Sequence, residues 1–274
     1  MKKVATIILN RNLPQVTNKL RSVIKKTDNE ITDIYILESG SDKDKLSKYC
    51  TWHAEWDSAV KKGLRVPRGF NYALTMLNKE NKFEKYDYFF LLTNDTVFEK
   101  KQILKPLLKI MKEHKRLGVL SPCSKNWGEF NLLKKNKLKY VWYLQNTAYL
   151  IRKDFIKSIT NVSKGNIYNF LYDGKNFRGY CLELEIIAKG YINNWATAIT
   201  NATICSENEE YLKNNFRNIK TDPYDKNLHL YIKEGKEWMF KKYGFKSKWN
   251  FLFYIKNYYD DFFLKNRDLI NFKI

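Results

Sequence analysis

The stretch YDYFFLLTNDTVF, Tyr86 to Phe98, sets a five-residue apolar run, Tyr88 to Leu92, directly before Thr93, Asn94 and Asp95, after which hydrophobic residues resume. A continuous run of this length reads as a buried strand, and its end delivers a carboxylate. In an open α/β sheet, ligands bind in the crevice beyond the carboxyl ends of the strands. One Asp flanked by small oxygen donors suits a hard divalent cation that also holds phosphates. A polar turn after a buried strand is the plainer alternative, so the motif needs its context.

That context is repetitive. Val4 to Leu9 is a second continuous apolar run, broken at Asn10 to Asn12. Pro14 then opens a helix whose Val16, Leu20, Val23 and Ile24 recur at helical spacing. Ile31 to Leu37 closes a first βαβ unit, and it too ends in an acidic, small-residue loop, Glu38 to Asp42. A short strand over Thr51 to Trp56 and a helix through Ala73, Leu74 and Leu77 lead back to Tyr88. Downstream, the pattern gives a helix over Lys101 to His114 and a strand at Gly118 to Leu120. A polar loop over Cys123 to Lys139, an apolar segment Val141 to Ile151, and a helix Arg152 to Ile159 follow. A second long loop, Val162 to Arg178, precedes a helix Leu182 to Ala188 stopped by Gly190, then strands Tyr191 to Trp195 and Ala198 to Ile204. Long loops in a compact domain are usually lids or binding elements. The fold class is α/β, doubly wound at its start.

Composition narrows the function classes. The chain has 274 residues, 44% hydrophobic and 16% aromatic, which argues against disorder. Its net charge is +21, yet 41 of its 50 basic residues are Lys and 9 are Arg. Specific phosphate and base-edge recognition favours the planar Arg fork, so the excess reads as diffuse, either a basic surface with a purpose or a compositional bias. Cys50, Cys123, Cys181 and Cys205 form no CxxC pair, which signals neither a zinc site nor a disulfide framework and fits a cytoplasmic protein. The apolar run after Met1 is too short for a signal peptide, and no segment approaches 18 uninterrupted apolar residues.

Taken in order, TIILNRN, YILESGS, RVPRGFNYAL, YFFLLTNDTVF, YLQNTAYLIRKDF, RGYCLELEIIAKGY and the closing KYG resemble the nucleotide-sugar glycosyltransferases of the GT-A fold, in particular the inverting family 2. The match spans roughly residues 3 to 205. The resemblance implies a mixed, mainly parallel sheet with flanking helices, a GT-A domain over residues 1–206, and a C-terminal helical extension over 207–274. It implies donor contacts from Thr6, Asn10, Arg11, Glu38, Ser39, Arg68, Gly69, Asn71, Asn94 and Asp95. Within these, Glu38 matches the acid that usually contacts the nucleobase, and Asn71 an amide that grips ribose or diphosphate. Asp95 matches the acidic metal motif for Mn²⁺ or Mg²⁺, although one Asp stands where many relatives carry two. Glu183 matches the catalytic base, with Glu185 and Asp173 as fallbacks. Asp173, Trp127 and Trp142 are candidates for the acceptor region. Relatives often carry a metal-binding His after the last strand; here Ile204, Cys205, Ser206 and Glu207 hold none, and Glu207 substitutes only if its loop turns inward. His53, His114 and His229 match no motif and read as structural or solvent-facing.

From about Glu207 the character changes. Residues 223–265 interleave fourteen Trp, Phe and Tyr residues with Lys, a pattern suited to a helix at an anionic membrane interface, or equally to an annex that packs on the domain or pairs two copies. The leading expectation is an inverting transferase that takes a nucleotide-sugar donor and a glycan or lipid-linked acceptor in capsule or lipooligosaccharide synthesis, at the cytoplasmic face of a membrane. A basic protein that stacks single-stranded nucleic acid on its aromatics, and a homologue that binds nucleotide without turnover, are the alternatives.

Overall fold

The computed structural model describes residues 3–99, 102–133, 137–144 and 147–274. Lys101, at the start of the helix expected over Lys101 to His114, Gln145 and Asn146 of the YLQNT segment, and positions 134–136 of the first long loop lie outside the described residues.

Strands β1 (Val4–Asn10), β2 (Thr32–Glu38) and β4 (Tyr88–Thr93) run parallel side by side, with β3 (Trp52–His53) added outside β2. Their residues are buried almost throughout, as expected of strands covered on both faces. Next comes β8 (Ala148–Arg152), antiparallel to β4, followed by β6 (Leu117–Cys123) and β9 (Ala196–Glu207). The short β5 (Thr96–Phe98) and β7 (Leu138–Tyr140) both pair antiparallel with β9. Among the described residues this is one nine-stranded mixed sheet in the order β3-β2-β1-β4-β8-β6-β9-β5, with β7 beside β9.

Helices α1 (Pro14–Asp28) and α3 (Arg65–Lys79), with the short α2 (Asp57–Lys62) before α3, flank the β1 side; α4 (Leu104–Glu113), α5 (Lys153–Ile159) and α6 (Leu182–Ile192) flank the rest. Helix α3 lies close on β1 because Gly69 leaves room for Leu9, whose Cδ1 would stand 2.6 Å from an added Cβ. Gly69 thus packs helix on strand.

One expectation needs correcting here. Tyr191 is not in a strand: α6 runs through Gly190 to Ile192, and only at Asn194, with a left-handed φ of 59°, does the chain turn into β9. Gly190 serves as a contact point instead of a stop, since an added Cβ would meet the Phe155 ring at 3.0 Å. The Tyr191 hydroxyl donates to the Val141 carbonyl at 2.8 Å, tying the helix end to the sheet.

Residues 207–274 form α7 (Glu209–Asn214), α8 (Tyr224–Tyr243), α9 (Lys248–Lys265) and a 3-10 turn Arg267–Phe272. They share the hydrophobic core of the sheet region: Met239, Phe251, Ile255, Tyr259 and Phe262 are fully buried in the same cluster as the strands. Tyr259 donates to the Tyr140 carbonyl at 3.1 Å, and its ring lies 4.9 Å from Trp142. Among the described residues no helix is long and apolar enough to cross a membrane.

Candidate functional site

At the carboxyl ends of β1, β2 and β4 lies a cavity of about 460 Å³, within the size range of small-ligand pockets. Its polar wall comes from strand ends: Asn10 and Arg11 after β1, Ser39 after β2, Thr93, Asn94 and Asp95 after β4, and Glu207 at the end of β9. Arg65 and Val66 of α3 add to it. Ile219, Thr221, Tyr224, Asn227, Leu228 and Tyr231 close it from the C-terminal segment, so the extension is a wall of the site.

A chain of amides and acids fixes the β1 and β4 ends together. Glu38 is fully buried and accepts from both directions: Asn10 Nδ2 at 2.9 and 3.1 Å, Ser41 Oγ at 2.5 Å and the Ser47 amide at 2.8 Å. Asn10 in turn accepts from Asn94 Nδ2 at 2.7 Å. A buried carboxylate is tolerable only when so satisfied. Glu38 is therefore fully buried outside the cavity lining, where it orients Asn10 and, through it, Asn94.

Other residues named from the sequence also turn inward. Thr6 is buried and bonded to Thr32 Oγ1 at 2.8 Å. Asn71 is fully buried with its amide consumed by the second long loop: Oδ1 accepts from the Leu171 and Tyr172 amides, both at 3.0 Å, and Nδ2 donates to the Tyr172 and Ile167 carbonyls at 2.7 and 3.2 Å. Arg68 donates from Nε to the Gly174 carbonyl at 2.7 Å, its guanidinium 4.7 Å from the Phe177 ring centre. Arg68, Gly69 and Asn71 thus position β1 and the loop and do not line the cavity.

Two acceptor-region candidates belong to the packing of the C-terminal helices. Asp173 accepts from Trp238 Nε1 at 3.0 Å and Lys242 Nζ at 2.6 Å, and Trp142 packs on Tyr259 under Lys256. Burial raises the Asp173 carboxyl, but the Lys242 and Trp238 bonds outweigh it and hold it below the usual value. Glu185, 3% exposed, pairs with Lys189 and the same Lys242, both at 2.9 Å. Neither fallback acid is available as a base while Lys242 holds both. Trp127, within the first long loop, is half-buried against the core.

Glu183 differs from its neighbours on α6. It stands in the first turn, following Cys181, whose left-handed φ of 55° turns the chain into the helix. Its Oε1 accepts from the Tyr149 hydroxyl at 2.8 Å. Tyr149 lies on β8 two residues from Thr147, whose carbonyl accepts from the Thr93 amide at the cavity edge. Tyr231, a cavity-wall residue, lies within electrostatic reach of the same carboxylate: burial first, and then Glu183, raise the tyrosine hydroxyl's pKa. Glu183, half-buried, therefore stands near the Tyr231 wall of the cavity, at the same end of the sheet as Asp95. Burial pushes its carboxyl up to about 7, against the pull of its own backbone amide and the Tyr149 hydroxyl, so it titrates where a general base is most useful. Replacing Tyr149 with Phe removes a bond to the charged form, so the Glu183 titration should move above its parent midpoint by up to about one unit, read by carboxyl NMR; no movement would place the hydroxyl elsewhere.

Glu207, which the sequence offered as a ligand only if its loop turned inward, reaches the cavity from the end of β9, because its register partner Thr96 sets it beside Asp95. Arg65 and Arg178 were quoted within motifs but given no role. They line the cavity together with Arg11; three guanidinium groups from positions 54 and more apart carry no local spacing signal.

No family profile and no curated protein matches the sequence. Among solved structures, TarS of S. aureus superposes with a TM-score of 0.51 at 13% identity, covering 88% of this chain and 44% of that one. GalNAc-T7, solved with UDP, GalNAc and Mn²⁺, gives 0.55 at 11%, covering 98% and 57%. The fold is GT-A. A mycobacterial protein matches similarly, at 0.52 and 8% over 87% of this chain and 74% of that one. The chain spans less than half the length of TarS.

Proposed function

We propose that this GT-A chain is a glycosyltransferase that moves a sugar from a nucleotide-diphosphate donor to a hydroxyl acceptor with inversion. The observation that supports it most is convergence: polar groups from four strand ends wall one cavity, and Glu183, shifted to near-neutral titration, stands beside it. In this reading the nucleotide lies over Asn10, Ser39 and Asn94, with its diphosphate toward Asp95. Glu183 takes the proton of the incoming hydroxyl as the diphosphate leaves from the opposite face.

The donor set suits a hard cation: Asp95 and Glu207 supply carboxylate oxygens on one wall, and phosphate oxygens and water complete such sites. Among the described residues no group of three or more His, Cys, Asp and Glu is gathered, so these two residues would hold the ion. When bound, Mn²⁺ or Mg²⁺ would neutralise charge on the departing diphosphate.

A surface-glycan acceptor, in capsule or lipooligosaccharide synthesis, rests on the sequence resemblance alone. Peripheral contact with the cytoplasmic face of a membrane is supported by exposed Phe240, Trp249 and Phe253 around the α8–α9 turn, interleaved with exposed Lys241 and Lys246.

A thermal-shift and hydrolysis screen of UDP, GDP, TDP and CMP sugars, with and without Mn²⁺, tests the reading. One donor should raise Tm by several degrees and release free sugar slowly. Stabilisation by no nucleotide, with salt-sensitive binding of single-stranded nucleic acid, would refute it.

A further inference from the structure

The cavity carries more positive charge than its own acids answer. Arg178 is fully engaged: Nε with Glu234 and Nη2 with Asp222, both at 3.1 Å, and Nη1 with Asn227. Among the described residues Arg65 makes one side-chain hydrogen bond, to Thr221 Oγ1 at 2.6 Å, and Arg11 one, to the Val60 carbonyl at 3.0 Å. Among the described residues the buried Nε atoms of both have no hydrogen-bond partner. The acid within electrostatic reach of Arg11 is Asp42, which is already paired with Lys45 and Lys220. Those near Arg65, Asp222 and Glu234, belong to Arg178. Asp95 and Glu207 line the cavity on the β4 and β9 side.

The backbone agrees. Arg65 holds a left-handed φ of 55°, a conformation that costs a non-glycine residue free energy and is kept where the surroundings demand it. Gly63, at φ 71°, makes room for Arg11: an added Cβ would stand 2.3 Å from its Nη1. Burial first, then the charges of Arg178 and Arg11, bring the Arg65 guanidinium down to about 10, against the smaller opposing pull of Asp222 and Glu234.

We propose that Arg65 and Arg11 bind the donor's diphosphate oxygens directly, so that the cavity takes a nucleoside diphosphate without needing a divalent cation for affinity. This rests on the glycosyltransferase reading for its ligand. The planar fork of Arg fits phosphate oxygens, and a bound diphosphate supplies the acceptors that both Nε groups lack. A cation at Asp95 and Glu207 then acts on the leaving group more than on binding.

Titration calorimetry in EDTA tests it with UDP, GDP, uridine, guanosine and inorganic pyrophosphate as probes. The variants are R65N, because Asn tolerates a left-handed φ, and R65K, which keeps a charge. The better nucleoside diphosphate should bind within about tenfold of its affinity in Mn²⁺. R65N should lose tenfold or more for it and for pyrophosphate, with the nucleoside unchanged and R65K between. If nucleoside diphosphate binds R65N as tightly as the parent, or binds the parent only with Mn²⁺, the proposal falls and the transferase reading stands. Arg65-dependent pyrophosphate binding without binding of either nucleotide would keep the anion site and remove the transferase reading. Binding of no probe would remove both.

Discussion

Glu183→Gln should abolish transfer while leaving the fold intact. A positioned general base contributes roughly 10²- to 10⁴-fold, and the alternatives on the same helix and loop are occupied: Glu185 and Asp173 are both held by Lys242. Loss in that range is expected in kcat, with donor affinity near the parent's because Glu183 is not among the residues that line the donor cavity. The parent's rate should rise with pH through a midpoint near 7, as the carboxyl ionises. Stability should show the opposite sign. A carboxyl whose folded pKa lies above its unfolded one near 4.5 contributes stability that is full below the unfolded value and lost as pH rises through about 7. The Gln variant escapes that loss. Its Tm relative to the parent should therefore climb between pH 6 and 8.5, by an amount on the order of 1–3 kcal/mol in stability. A variant with full activity, or one whose relative Tm does not depend on pH, would remove Glu183 from this role.

Asn71→Ala should be the most damaging single change to the fold near the site. It strips four hydrogen bonds at once and leaves two amides and two carbonyls of the second long loop without their partner. Buried polar groups left unpaired cost about 1–3 kcal/mol each, and the loop can recover some by admitting water, so about 3–5 kcal/mol is expected. In a domain of this size that lowers Tm by roughly 10 °C or more. Proteolysis should first cut within 162–178. Asn71→Asp, which keeps the two acceptor bonds, should recover part of the loss. A loss of nucleotide binding at unchanged Tm would instead mean that the amide faces the donor.

The fold was legible because its signals are local. Continuous apolar runs at Val4 to Leu9, Ile31 to Leu37 and Tyr88 to Leu92 end in polar loops, and the cavity opens there. The helix end at Tyr191 was not legible, because Gly190 serves close packing against Phe155 and its neighbours alone do not reveal that. For the site, strand-end positions could be named but side-chain direction could not. Glu38, Asn71 and Asp173 are polar residues at loop ends, the usual signature of ligand contact, yet Glu38 is spent on Asn10, Ser41 and the Ser47 amide, Asn71 on loop backbone, and Asp173 on a helix more than 60 residues away. The reverse holds for Arg65, Arg178 and Glu207: they reach the cavity through tertiary packing of α3, α8 and the β5–β9 pair, which no spacing encodes.

The most direct measurement is a crystal structure of the protein soaked with the nucleoside diphosphate that stabilises it best. The account places the nucleotide in the cavity walled by Asn10, Ser39 and Asn94, with the diphosphate between Arg65 and Asp95 and its far end toward Glu183. Nucleotide bound elsewhere, for instance in the lysine-lined groove between α1 and α4, with this cavity left empty, would contradict it.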